Sequence, residues 1–196
     1  MALTIPDDLA PECYPLAWLV GTWRGFGQLT YPGIEESAFV HDLVFDHDGG
    51  PYLRASSTLR VATGEVNPEQ SGTAGAAGLD AGQIWSSETQ YWRPVPGAAD
   101  TAEATSESDN GPAPTELEVL VANPAGHVSV YVGQVRGPRI NLSTDAVVRT
   151  TSAAEMTGAT MMYGLVQSDL MWAQDLAAFG HELQTYASGR LSRVDG

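Results

Sequence analysis

From about residue 22 to residue 194, the chain is a succession of short segments that alternate apolar and polar residues, separated by turn residues. The alternation is strictest in residues 37–46 and 127–135, and the Asp-Gly and Gly-Gly pairs in residues 46–50 favour a tight hairpin. Strands and helices do not alternate regularly, as a parallel sheet would require. The pattern therefore predicts about ten short antiparallel strands, joined mainly by hairpins.

An up-and-down sheet of this kind has two exposed edges unless its first and last strands pair. Residues 21–27, Gly-Thr-Trp-Arg-Gly-Phe-Gly, favour closure, because glycine permits a bend or close approach and Trp23 can fill a barrel end. A solid two-sheet sandwich is the alternative. We predict an all-β, ten-stranded antiparallel up-and-down β-barrel that can enclose a ligand, with a short N-terminal helical turn at residues 15–20. The aromatic residues predicted for its lining or wall are Phe39, Trp85, Tyr91, Trp92, Tyr131, Tyr163 and Trp172.

Length and composition fit a single domain, residues 1–196, in which a hydrophobic fraction of 43% is sufficient for a sizeable core. Two segments interrupt the strand pattern, residues 63–82 and residues 97–114. Both are rich in glycine, alanine, serine and proline and lack apolar periodicity. They are predicted to be flexible insertions.

The charge excludes several classes of partner. The formal net charge is −15, and the nine basic residues are all arginine. A surface this acidic repels nucleic acid and anionic membranes, and the dispersed carboxylates are interpreted as a solvated surface. The expected partner is a small molecule inside the barrel, and a homodimer remains open.

The single cysteine, Cys13, rules out an internal disulfide and thiolate metal clusters and fits a reducing cytoplasm. The first residues lack the pattern of a signal peptide, and no apolar run approaches the roughly 20 residues of a membrane span. No pair of histidines has the spacing of metal ligands, so no metal site is predicted. His41, on an aromatic strand face, is interpreted as a core histidine.

A GxWxGxG pattern near the start of the chain resembles a motif of the nitrobindins, which are barrels similar to lipocalins and fatty-acid-binding proteins. The motif consists of Gly21, Trp23, Gly25 and Gly27. Residues 31–34, the hairpin at residues 44–53 and the tail at residues 188–193 are similar to the same family. The resemblance runs from about residue 16 to residue 194, interrupted by the two insertions. It implies a barrel that binds ferric haem b through a histidine on its last strand, binds nitric oxide and isomerises peroxynitrite to nitrate.

Alignment of the tail on residues 190–193 places Tyr186 at the position of the haem-ligating histidine. Tyrosine binds ferric iron as a phenolate, which requires its pKa, normally near 10, to be lowered. Arg190 would share the face of Tyr186 in a regular strand, although roughly 13 Å away. The alternative is that Tyr186 fills the space that a cofactor would occupy.

Two further positions belong to the candidate cofactor site. His181 precedes Tyr186 by five residues, an odd separation that puts the two side chains on opposite faces of a strand. We therefore expect His181 in the exposed turn before the last strand. Gly33 stands where the family often has a hydroxyl residue near the haem.

These substitutions leave three functions open, and no catalytic residue is assigned. The first is a nitrobindin-like barrel that lacks the haem-ligating histidine and holds another small or apolar ligand. The second is an active ferric haem b protein that acts on nitric oxide or peroxynitrite, with Tyr186 or His181 on iron. The third is an intracellular fatty-acid carrier, which needs a buried cation, for which Arg190 is the best candidate.

Overall fold

The structure, a computed structural model, describes residues 5–95 and 113–194. Ten strands form a closed antiparallel barrel in which sequence neighbours pair and the first strand pairs with the last. This confirms the predicted barrel and excludes the sandwich. The elements are a 3-10 helix Pro11–Leu19, β1 Gly21–Tyr31, β2 Ile34–Asp46, β3 Leu53–Thr63, α1 Gly72–Ala77, β4 Asp80–Pro94, β5 Thr115–Ala122, β6 His127–Arg136, β7 Arg139–Arg149, β8 Met156–Val166, β9 Asp169–Ala178 and β10 Gln184–Arg193.

The seam between β1 and β10 depends on glycine. A Cβ atom at Gly25 would lie 1.9 Å from the carbonyl oxygen of Arg190, and one at Gly27 would lie 2.1 Å from that of Ser188. Side chains cannot approach backbone so closely. These two glycines therefore let the first and last strands come together and close the barrel.

Trp23 ties the 3-10 helix to the closed end of the barrel. Its side chain is 1% exposed, and its Nε1 donates a hydrogen bond of 2.7 Å to the carbonyl of Leu19. The guanidinium of Arg193 lies 4.3 Å from the centre of the indole, a cation–π contact, and donates to the carbonyls of Trp18 and Val20. The predicted N-terminal helical turn is present and begins at Pro11 rather than at residue 15.

A second apolar cluster lies on the outside of the barrel, where α1 covers part of β1. Phe26, Val40, Ala76 and Leu79 are all buried there. A Cβ atom at Gly75 would lie 2.0 Å from the ring of Phe26, so small residues allow the helix to dock.

Residues 63–82, predicted as a flexible insertion, thus contain α1 and the beginning of β4, and the sequence interpretation missed this helix. The second predicted insertion, residues 97–114, lies almost entirely outside the described residues. Within the described ranges, no helix is long and apolar enough to cross a membrane.

Candidate functional site

A cavity of about 250 Å³ lies inside the barrel, towards the end opposite the 3-10 helix. Inward-facing side chains from most of the strands line it, and five of those in the described part of the chain are aromatic. These are Trp85, Tyr131, Tyr163, Trp172 and Tyr186. Of the other aromatic residues predicted for the lining or wall, Phe39 and Trp92 are in the solid core, whereas Tyr91 is exposed beside Tyr52. The cavity is small for a ligand pocket, since typical volumes are roughly 300–1,000 Å³.

Tyr186 reaches this cavity because of a β-bulge near the start of β10. In the pairing with β9, Thr185 lies opposite Asp175 and Ala187 lies opposite Gln174, so Tyr186 has no partner of its own. A bulge interrupts the regular alternation of faces along a strand. Consequently Tyr186 lines the cavity while the next residue, Ala187, is also buried in the core.

Arg190 lies on the outside of the barrel. Its Nε is 2.9 Å from Oδ2 of Asp169, and its Nη1 donates to the carbonyls of Pro68 and Gln70 at 2.8 and 3.1 Å. The expectation that Arg190 shares the face of Tyr186 is therefore wrong, because the bulge shifts the alternation by one residue. Arg190 instead fastens the first insertion to the barrel.

Trp85 and Tyr186 meet at the mouth of the cavity. The indole Nε1 of Trp85 donates a hydrogen bond of 2.5 Å to the hydroxyl of Tyr186, which joins β4 to β10. Trp85 is 38% exposed, so the pair lies at the boundary between the cavity and solvent. The ring of Tyr31 packs edge-on against Tyr186, with 6.0 Å between ring centres. The hydroxyl of Tyr31 in turn donates a hydrogen bond of 2.9 Å to the carbonyl of Leu176 on β9. Trp85 and Tyr31 thus hold Tyr186 from two sides.

The surroundings of Tyr186 keep its phenol protonated. Burial raises the pKa of the phenol, and the nearby Glu88 carboxylate raises it further, while the hydrogen bond from Trp85 acts in the opposite direction. Burial is the largest of these effects. The hydroxyl is therefore a neutral hydrogen-bonding group at physiological pH.

His41 also lines the cavity and is buried, as predicted for a core histidine. Its Nε2 is 2.9 Å from the hydroxyl of Ser57, and the ring of Trp172 packs edge-on with 5.1 Å between centres. Burial lowers the pKa of His41 to about 3, so the imidazole is neutral at physiological pH. Its Nδ1 has no hydrogen-bond partner in the described part of the chain. A catalytic triad needs a carboxylate on the second imidazole nitrogen, and none of the described residues supplies one to His41.

Glu88 supplies the carboxylate of the cavity wall. One of its oxygens, Oε2, accepts a hydrogen bond of 2.7 Å from the amide of Gln90, whose own oxygen accepts one of 2.8 Å from Nε1 of Trp92. Burial raises the pKa of the Glu88 carboxyl, and Gln90 opposes that rise. The pKa values of Tyr131 and Tyr163 are raised mainly by burial and secondly by the charge of Glu88.

The interpretation of the carboxylates as a solvated surface is wrong for Glu88. The physical reason is the alternation along β4, which puts Glu88, Gln90 and Trp92 on the inward face. That period of two was visible in the sequence and could have identified Glu88. It is the charged residue of the site that sequence reasoning missed.

The remaining sequence candidates do not line the cavity. His181 lies, as expected, in the exposed turn between β9 and β10, with its ring centre 5.9 Å from that of Tyr31. Gly33 lies in the turn between β1 and β2 at a φ of +82°, and no atom of the described residues is within 4 Å of the position of a Cβ. In residues 5–95 and 113–194, no group of three or more side chains is arranged to bind a metal ion.

Comparison with known proteins identifies the family. Residues 12–193 match the model of the THAP4-like, heme-binding β-barrel domain. The chain belongs to this family. A relative from Beutenbergia cavernae, named ferric nitrobindin-like protein, is 52% identical over 99% of this chain and 100% of its own length. A relative from Kocuria rhizophila, named peroxynitrite isomerase, is 36% identical over 100% of this chain and 97% of its own length.

The fold of the family is also found in a solved structure. The crystal structure of Rv2717c from M. tuberculosis is similar to the barrel with a TM-score of 0.69 and 25% sequence identity. The similarity covers 95% of this chain and 99% of that one. The resemblance to nitrobindins is thus confirmed for the family and for the barrel.

Proposed function

We propose that this member of the THAP4-like family binds a small ligand other than a histidine-ligated haem. The observation that carries the proposal is the hydrogen bond between Trp85 and Tyr186 at the cavity mouth. The phenol aligned with the haem-ligating histidine already accepts this bond. The indole that donates it occupies the space beside the phenol.

The residues present do not fit a haem bound as in the family resemblance. A phenolate ligand needs its pKa lowered by the metal or by a neighbouring cation. Here burial and Glu88 raise the pKa of Tyr186, and Arg190 is on the outer surface. His181, the other candidate ligand, lies outside the cavity wall.

A second candidate function is that of a tyrosine-ligated ferric haem protein acting on nitric oxide or peroxynitrite. Relatives named peroxynitrite isomerase support it, and so does the N–H group of Trp85, which would stabilise a phenolate. A fatty-acid carrier is not proposed, because the cation that it requires does not line the cavity in the described part of the chain.

Titration with hemin, followed by the Soret absorption band, separates the two candidates. We expect no saturable one-to-one Soret shift for the wild type or for Tyr186→Phe. We expect a saturable shift for Tyr186→His, because an imidazole is a neutral iron ligand. A saturable shift in the wild type that disappears in Tyr186→Phe would overturn the proposal and establish tyrosine ligation.

Two further variants test the role of the mouth. In the Tyr186→His background, Trp85→Ala should tighten hemin binding by about tenfold, because the indole fills space beside residue 186 that bound hemin would need. His181→Ala in the same background is the matched control and should leave the affinity unchanged. Equal affinities for all three proteins would show that Trp85 does not compete with hemin for space in the cavity.

A further inference from the structure

The charge and the walls of the cavity indicate the chemistry of its occupant. We propose that the cavity binds a small organic ammonium ion, with the Glu88 carboxylate as its counter-ion and the aromatic side chains as its walls. This inference rests on the proposed function, because it requires that haem does not occupy the site.

Glu88 is a carboxyl group that faces the cavity and has no cationic partner among the described residues. The lining contains no arginine in the described part of the chain, and the sequence has no lysine. The hydrogen bond from Gln90 satisfies one carboxylate oxygen, and within residues 5–95 and 113–194 no cationic side chain pairs with the other. Glu88 is only partly exposed, and a partly buried carboxylate without a cation is unfavourable, a cost that a bound cation would offset.

Aromatic side chains line the same cavity as this carboxylate. Tyr131 and Tyr163 are close enough for the charge of Glu88 to affect them, and Trp85 and Tyr186 form the mouth on the solvent side. A cation is attracted to the faces of such rings, and most strongly when it is removed from water. Phenol oxygens can also accept hydrogen bonds from an ammonium group.

The neutral polar groups are consistent with a ligand that carries an additional hydrogen-bonding group. Nδ1 of His41, which lines the same cavity, is buried and has no hydrogen-bond partner among the described residues. A hydroxyl group on the ligand could pair with this nitrogen. The volume of about 250 Å³ limits the occupant to a small amine.

The charge of the whole protein favours the same class of ligand. With a formal net charge of −15, the surface raises the local concentration of cations and repels anions. A carboxylate ligand would be repelled both by the negative net charge of the protein and by Glu88. The ammonium class is therefore favoured over the acid class.

Isothermal titration calorimetry with matched pairs of probes tests the inference. The first pair is choline and its uncharged carbon isostere, 3,3-dimethylbutan-1-ol. The second pair is benzylammonium and benzyl alcohol. At least one cation should bind more tightly than its uncharged partner, by about tenfold or more. Glu88→Gln should remove this preference, whereas Glu65→Gln, which removes the same charge from an exposed loop, should retain it.

The two proposals fail in different ways. If neither cation binds more tightly than its partner while hemin also fails to bind, only the ammonium inference is overturned. An unchanged preference in Glu88→Gln overturns it as well, because the cation would then be held elsewhere. Saturable hemin binding by the wild type overturns the proposed function itself.

Discussion

His41 is a buried base whose protonation opposes folding. An unfolded histidine binds a proton below about pH 6.5, whereas the folded chain holds the pKa of His41 at about 3. The unfolded state therefore binds more protons between these values, and stability is lost as pH falls through that window. His41→Gln keeps a polar partner for Ser57 and cannot titrate.

We expect the wild type to lose more unfolding free energy than His41→Gln as pH falls from 6.5 towards 3. Once the pH is below the pKa of folded His41, this additional loss should be on the order of 3–5 kcal/mol. Urea unfolding at several pH values measures it. Parallel pH profiles for the two proteins would show that His41 is not the buried titrating group.

Glu88 gives the stability of the protein the opposite pH dependence. Burial raises the pKa of its carboxyl above the ordinary value of 4.5, so the folded state binds the proton more tightly than the unfolded chain. Stability is then lost as pH rises from 4.5 through the raised pKa. In the absence of a ligand, Glu88→Gln should be increasingly more stable than the wild type over that range. A constant difference between the two thermal midpoints would contradict this.

Barrel closure requires glycine at the seam between β1 and β10, and this requirement can be tested by substitution. Gly25→Ala places a methyl group where the Arg190 carbonyl lies, so the strands must separate. We expect a loss of about 2–4 kcal/mol in unfolding free energy, measured by urea denaturation. Gly164→Ala is the matched control, because its Cβ would be 3.9 Å from the nearest atom, and it should change stability little. If the two substitutions lowered the unfolding free energy equally, the close approach of the strands would not be the reason for glycine at the seam.

The strands were predictable from the sequence because alternation and tight turns are local signals. The helix α1 was not predictable, since its residues are small and its stability comes from docking on Phe26. The bulge at Tyr186 was also hidden, because it appears only in the pairing of β10 with β9. That single extra residue made the prediction for Arg190 wrong.

The candidate site was predictable only in part. The family resemblance predicted a cofactor position at Tyr186, which lines the cavity, and the alternation along β4 contained the information on Glu88. The partner of Tyr186 could not be inferred, because Trp85 is 101 residues away and joins it only when the barrel closes. Contacts between distant strands depend on register, which a single sequence specifies weakly.

The whole molecule carries a formal net charge of −15, which should destabilise the compact state by self-repulsion. Raising sodium chloride from about 0.01 M to about 1 M shortens the Debye length from about 30 Å to about 3 Å. We expect the thermal midpoint at neutral pH to rise by several degrees. Near the isoelectric point of about 4.3, the same change in salt should have little effect. A salt response of equal size at both pH values would exclude screening of net charge as its cause.

The most direct test of the account is the absorption spectrum of the protein as purified from cells that make haem in excess. In such cells, a barrel able to bind haem has every opportunity to acquire it during folding. The arrangement of Trp85 and Tyr186 at the mouth predicts a colourless protein without a Soret band. A red protein with one haem per chain would contradict it.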